Sequence, residues 1–153
     1  MEPTQQPPTQ TYHEILAKSY IVYFIFSIIA LFIDSRLHLH FYASFLNPVA
    51  IVCFAVGPLL IFWAQLTSLK TIQTKHFHLY FGKGPYKFMR NPTQLGILIL
   101  ITGYVLISSS LVFFLINIIA YIISNAYFKK YEQALGATYQ GYVPYKGSVK
   151  KVL

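Results

Sequence analysis

The chain has 153 residues, of which 56% are hydrophobic and 10% are charged. A typical soluble domain carries roughly 25% charged residues, so the composition excludes an ordinary soluble fold. It predicts an all-α, multi-pass membrane protein, because only helices and closed barrels satisfy their backbone within lipid. The net charge of +8 suits an anionic leaflet surface and needs no nucleic acid to explain it.

The N-terminal third predicts a tail followed by two helices. Residues 1–14 are polar and proline-rich without the basic start of a secretory signal, which predicts a disordered tail ahead of a single domain at residues 15–153. The first helix is predicted from about Tyr20 to Ile33, with room for extension because this length is short for a bilayer. The second is predicted from about Pro48 to Leu69, with a kink at Gly57-Pro58.

No charged residue occurs from Asn91 to Phe128. As one helix this stretch would be about 57 Å long, well beyond the roughly 30 Å of a bilayer core. Three serines, residues 108–110, lie near its centre and predict a turn. The stretch therefore predicts a helical hairpin with arms at about Thr93–Ile107 and Leu111–Phe128. The total is about four transmembrane helices, followed by a cytoplasmic helical tail.

Two glycines predict where the first arm of this hairpin packs. Gly96 and Gly103 lie two helical turns apart, which would let a neighbouring backbone approach closely. This packing requires no functional role for either residue.

The positive charges predict the orientation in the membrane. Of the twelve Lys and Arg residues, Arg36 alone falls on one face; the others lie near the N-terminus, in segment 70–92 and in the C-terminal part. By the positive-inside rule, both termini and the 70–92 loop are predicted to be cytoplasmic.

Two His-x-His pairs, His38/His40 and His76/His78, raise the question of a metal site. The predicted topology puts the pairs on opposite faces of the membrane. The chain has only four carboxylates, too few for a conventional hard-metal site. We therefore predict no metal, and His38 and His40 are interpreted as interfacial loop residues.

Residues 78–96, HLYFGKGPYKFMRNPTQLG, contain the most informative motif. Pro92 suits the first turn of a helix, whose free amides together with Arg90 would form a positive cradle for a carboxylate. Gly82 and Gly84 allow close backbone approach to a ligand. Taken alone, these features are more typical of a membrane-entry turn with an arginine that reaches the interface.

The motif resembles the signature of the isoprenylcysteine carboxyl methyltransferase and phospholipid methyltransferase superfamily. The matching residues stand at the family spacing, and they are His78, Gly84-Pro85-Tyr86, Arg90-Asn91-Pro92, Leu95-Gly96 and the tail residues Gly136, Tyr139 and Tyr142. The resemblance covers about residues 48–145.

This resemblance implies a helical membrane enzyme that transfers a methyl group from S-adenosylmethionine to a lipid or lipid-like substrate, of the isoprenylcysteine carboxylate or phospholipid amine type. It implies a cofactor site that includes His78, Tyr80, Gly84, Tyr86, Arg90 and Asn91, and Glu132 is added as a seventh predicted site residue by the argument given below. Two alternatives remain open. One is a nicotinamide-dependent membrane reductase related to the sterol reductases, and the other is a small membrane scaffold or transport protein without enzymatic activity.

The sequence departs from the family pattern in two places. Thr93-Gln94 stands where the family has a bulky aromatic residue, and the family's acidic pair falls on Tyr127-Phe128. Glu132, one helical turn later, is the only carboxylate after Asp34 and is predicted to replace that pair. The alternative is that Glu132 serves as a helix partner of neighbouring lysines, Lys129 or Lys130.

Overall fold

A computed structural model describes residues 9–41, 44–73, 83–138 and 142–149 of the protein. These residues form five α-helices and no β-strand, which confirms the predicted all-α class. The helices are α1 Thr9–Leu37, α2 Asn47–Gln73, α3 Pro92–Ser108, α4 Leu111–Thr138 and α5 Tyr142–Ser148. Two short 3₁₀ turns, Ser44–Leu46 and Gly84–Lys87, precede α2 and α3.

Three of the described helices are long and apolar enough to cross a membrane. Their apolar spans are Tyr20–Leu37 in α1, Asn47–Ser68 in α2 and Leu111–Lys130 in α4. Helix α3 is also apolar but has 17 residues, which corresponds to about 25 Å, less than a full bilayer core. The described residues thus contain three membrane-spanning candidates and one shorter helix, where the sequence predicted about four transmembrane helices.

Helix α1 begins earlier than the sequence predicted. It starts at Thr9, so residues 9–14 are helical although they were included in the predicted tail, and it ends at Leu37 rather than near Ile33. Once the apolar span has formed a helix, each further residue adds a hydrogen bond without a new nucleation cost. The preceding Glu, Leu, Ala and Lys residues are good helix formers, which favours this extension.

Helices α2 and α3 pack with their backbones in close contact. A Cβ atom at Gly57 would lie 2.9 Å from the carbonyl oxygen of Gly96 and 2.9 Å from the amide nitrogen of Leu100. One at Gly103 would lie 3.0 Å from Cβ of Cys53. The predicted close approach at Gly96 and Gly103 is therefore confirmed, and its partner is α2.

The two arms of the predicted hairpin are adjacent in sequence but separate in packing. Helix α3 lies mainly against α2, and α4 lies mainly against α1, whereas α3 and α4 contact each other only slightly. The predicted turn is present between them, with Ser109 in the left-handed conformation (φ 52°). The arms therefore diverge from a common turn and leave a groove between them.

Residues at this turn hold the end of the bundle together. The Ser110 hydroxyl donates to Oδ1 of Asp34 at 2.6 Å and accepts the amide of Phe113 at 3.0 Å, which caps α4. His40 lies 3.7 Å from the same carboxylate, and the amide of Phe41 donates to the Ser109 carbonyl. This end lies about 30 Å along α4 from Glu132.

Candidate functional site

The motif that stood out in the sequence forms a compact turn against α2. Gly84 has φ +53°, and a Cβ atom there would collide with the Thr67 side chain, so glycine is required for both conformation and space. Pro85 and Tyr86 are buried in the 3₁₀ turn that follows. The close approach at Gly84 is thus to α2, and its role in cofactor binding stays a prediction.

The start of α3 directly follows this turn. Asn91 occupies the N-cap position, and Pro92 is the first helical residue, as predicted. The Asn91 side chain makes no capping hydrogen bond, so the first-turn amides of Thr93 and Gln94 receive no oxygen from it. These amides carry the positive end of the helix dipole.

Arg90 forms a buried ion pair with Glu132, which lies 42 residues later on α4. Nη1 of Arg90 is 3.2 Å from Oε1 and 3.4 Å from Oε2 of Glu132, and the two side chains are only 12% and 7% exposed. Nζ of Lys146 on α5 lies 3.4 Å from Oε2 of the same carboxylate, with a half-exposed side chain. Two cations thus face one anion, which leaves a net charge of +1.

This geometry contradicts the interpretation of Glu132 as a partner of lysines on its own helix, and its role in cofactor binding stays a prediction. The partners of Glu132 are Arg90 and Lys146, whereas Lys129 and Lys130 on its own helix are exposed. Glu132 therefore joins α4 to the turn ahead of α3. Nε of Arg90 is buried and has no hydrogen-bond partner among the described residues, so the arginine retains a donor.

Helix α5 also contacts the turn. The buried Tyr145 hydroxyl donates to the backbone carbonyl of Tyr86 at 2.7 Å, and the next residue is Lys146. The sequence interpretation missed both residues. A signal was present, because the three-residue spacing of Tyr139 and Tyr142 continues to Tyr145.

The groove between α3 and α4 has a volume of about 620 Å³. Its lining is almost entirely apolar and runs from Leu95 in the first turn of α3 to Leu106 near its end, about 16 Å along the helix axis. Phe41 and Leu111 lie at the end of the groove marked by Leu106, which we call the outer end, and Leu95 marks the inner end. Tyr121 is one of the few polar lining residues.

The model of the phospholipid methyltransferase family matches residues 46–140, which is more than half of the chain. The chain belongs to the phospholipid methyltransferase family. This confirms the resemblance to the superfamily and indicates a membrane methyltransferase with a lipid substrate. No curated protein and no solved structure matches the chain.

The part that matches the phospholipid methyltransferase family contains most of the site. It includes all of α2, the Gly-Pro-Tyr turn, all of α3 and all of α4, and hence both Arg90 and Glu132. All of α1 and all of α5 lie outside it, so Lys146 and Tyr145 contact the site from beyond the matched segment.

The structure brings five of the seven predicted site residues into one region of this phospholipid methyltransferase family member. Gly84 and Tyr86 lie in the 3₁₀ turn, Arg90 and Asn91 lie between that turn and α3, and Glu132 reaches Arg90 from α4. The remaining two, His78 and Tyr80, lie outside the described residues. Within the described ranges, no group of three or more His, Cys, Asp or Glu side chains comes together.

Proposed function

We propose that the protein transfers a methyl group from S-adenosylmethionine to a lipid-borne nucleophile at the cytoplasmic membrane interface. The observation that carries this proposal is the buried Arg90–Glu132 pair, which joins the family motif to α4. Leu95, at the inner end of the apolar groove, follows Arg90 by five residues. A polar site and a hydrocarbon-sized groove are thus adjacent, as a lipid-modifying enzyme requires.

The residues of this site fit the amino-acid end of S-adenosylmethionine. The net charge of +1 and the unpartnered Nε of Arg90 favour a carboxylate ligand, which Arg90 would hold. Glu132 would accept a hydrogen bond from the ammonium group. Tyr86 and Asn91 lie on either side of Arg90 in the segment ahead of α3. The proposed site includes Gly84, His78 and Tyr80 through the family resemblance.

The cofactor supplies a methyl group that its sulfonium already activates. The protein therefore has to orient the two reactants and exclude water, and needs few acid or base residues. The buried turn and the docking of α5 through Tyr145 and Lys146 serve the exclusion of water. The groove between α3 and α4 would orient the hydrocarbon chain of the substrate.

The groove would contribute more to the orientation of the lipid substrate than to its binding affinity. A hydrocarbon chain that leaves the bilayer for an apolar groove gains little hydrophobic free energy, because lipid is equally apolar. The groove runs for about 16 Å, close to the depth of one leaflet. It could therefore align one chain of a lipid with its headgroup near Arg90.

Ligand-dependent stability tests the cofactor. S-adenosylhomocysteine, the product form of the cofactor, is expected to raise the midpoint of thermal unfolding of the purified protein in detergent, because it binds only the folded state. At a hundredfold excess over its dissociation constant the gain is about 2.7 kcal/mol. Stabilisation by NADPH instead would favour the reductase, and stabilisation by neither compound would favour the scaffold.

Cysteine labelling tests the orientation. Cys53 is the only cysteine, so a Cys53→Ala background permits single reporters. Cysteines placed at the exposed positions Lys83 and Lys146 are expected to react with an impermeant maleimide only from the cytoplasmic side, and one at His38 only from the other. Reaction of Lys83→Cys and Lys146→Cys from opposite sides would rule out a common face.

A further inference from the structure

Three buried polar side chains from three helices meet inside the bundle. Tyr23 of α1 and Gln94 of α3 are each 3% exposed, and Ser124 of α4 is fully buried. The Tyr23 hydroxyl lies close enough to the Gln94 and Ser124 side chains for weak hydrogen bonds to both. The Tyr23 hydroxyl, Gln94 Nε2 and Ser124 Oγ each lack a hydrogen-bond partner of normal geometry within the described structure. We call these three residues the polar triad.

The polar triad is unfavourable for the ligand-free bundle. A buried donor or acceptor without a partner costs about 1–3 kcal/mol, and the surrounding lipid offers no water to compensate. Side chains of similar shape without polar atoms, such as Phe in place of Tyr23 and Ala in place of Ser124, would avoid that cost. A ligand oxygen that accepts hydrogen bonds from these donors would remove that cost.

The polar triad lies beside the end of the groove that is nearer the ion pair, and its own three side chains are not among those that line the groove. Gln94 follows Arg90 by four residues, and Ser124 lies about 12 Å from Glu132 along the buried side of α4. Tyr121, one turn before Ser124, lines the groove and also lies near the Tyr23 hydroxyl. A lipid whose chain occupies the groove would place its headgroup at this junction.

The atoms of the triad define the chemistry of the ligand. Gln94 Nε2 can only donate, and the two hydroxyls can donate as well, so three donors converge without a charged group of their own. We propose that Tyr23, Gln94 and Ser124 form a headgroup subsite that binds an acceptor oxygen of the lipid substrate, phosphoryl or carboxylate. This inference rests on the proposed function, since it assigns the groove to the lipid chain.

The test compares Tyr23→Phe and Ser124→Ala with Tyr104→Phe, a control on α3 that packs against Phe113 away from the triad. Binding of two single-chain probes, lysophosphatidylethanolamine and a fatty acid, is measured by native mass spectrometry, and stability by thermal unfolding. The fatty acid isolates a carboxylate, and the lysophospholipid presents a phosphoryl group. S-adenosylhomocysteine binding is measured in parallel.

Each triad variant is expected to lower the affinity for the probe that binds about 10-fold, which is the typical loss for one hydrogen bond to a charged group. Each should keep or raise the unfolding temperature of the ligand-free protein and leave S-adenosylhomocysteine binding unchanged. The control variant Tyr104→Phe should leave the binding of both probes unchanged. The probe that binds identifies the headgroup oxygen.

Loss of stability with unchanged probe binding would overturn the subsite and indicate a structural or water-filled cluster. Failure of either variant to fold leaves the other as the test, since each removes one polar atom from a different helix. Absence of lipid binding beside normal S-adenosylhomocysteine binding would also overturn the subsite while the cofactor proposal stands. Triad-dependent lipid binding without S-adenosylhomocysteine binding would preserve the subsite and contradict the methyltransferase.

Discussion

Replacing Gly57 by alanine is expected to disrupt the packing of α2 against α3. The new Cβ atom would lie 2.9 Å from the Gly96 carbonyl oxygen and 2.9 Å from the Leu100 amide nitrogen, and both are backbone atoms that cannot rotate away. The helices would have to separate, and close van der Waals packing is what holds membrane helices together. We expect a loss of about 3 kcal/mol or more, at the upper end for overpacked sites.

Gly147→Ala is the matched control, because nothing lies within 4 Å of a Cβ atom there. Alanine has the higher helix propensity by about 1 kcal/mol, so without a clash the substitution favours a helix slightly. Thermal unfolding in detergent should therefore show a large decrease for Gly57→Ala and little change for Gly147→Ala. Equal stability of the two variants would mean that the α2 and α3 backbones are not in contact.

Replacing Glu132 by glutamine should lower both stability and cofactor affinity. It would leave Arg90, 12% exposed, without its counter-charge, and a buried pair broken on one side costs about 3–5 kcal/mol. A surface pair between Glu132 and a lysine of its own helix would lose at most about 0.5 kcal/mol of stability on the same replacement. The buried geometry changes that expectation.

A paired replacement separates the two roles of Glu132. Arg90→Met combined with Glu132→Leu removes both charges, and such apolar substitutions of a buried pair are often neutral for stability. The double variant should recover thermal stability but not S-adenosylhomocysteine binding. Lys129→Gln, an exposed change on the same helix, is the control and should alter neither property. Cofactor binding by the double variant would exclude this pair from the cofactor site.

Much of the fold could be predicted because it depends on local sequence. The long apolar spans, the serine turn at residues 108–110 and the start of α3 at Pro92 each follow from hydropathy or from turn and capping preferences over a few residues. The close packing at Gly96 and Gly103 was also predictable, since small residues two turns apart mark a contact face.

The remaining features depend on contacts between distant segments. Sequence adjacency suggested that α3 and α4 pack as a hairpin, but the glycines on α3 bring it against α2, and α4 packs on α1. The partner of Glu132 could not be deduced because Arg90 is 42 residues away and meets it only when α4 extends beyond the membrane. Tyr23 likewise looks like an ordinary apolar-helix residue until three helices are assembled.

Transfer of a labelled methyl group is the most direct test of the proposed activity. The purified protein is reconstituted into phospholipid nanodiscs with methyl-tritiated S-adenosylmethionine, and the extracted lipids are counted after separation. The predicted result is time-dependent tritium in a lipid species for the wild-type protein, and none for the double variant Arg90→Met with Glu132→Leu. Absence of tritium from the lipids in the wild-type reaction, or equal incorporation by the double variant, would contradict a methyltransferase site at Arg90 and Glu132.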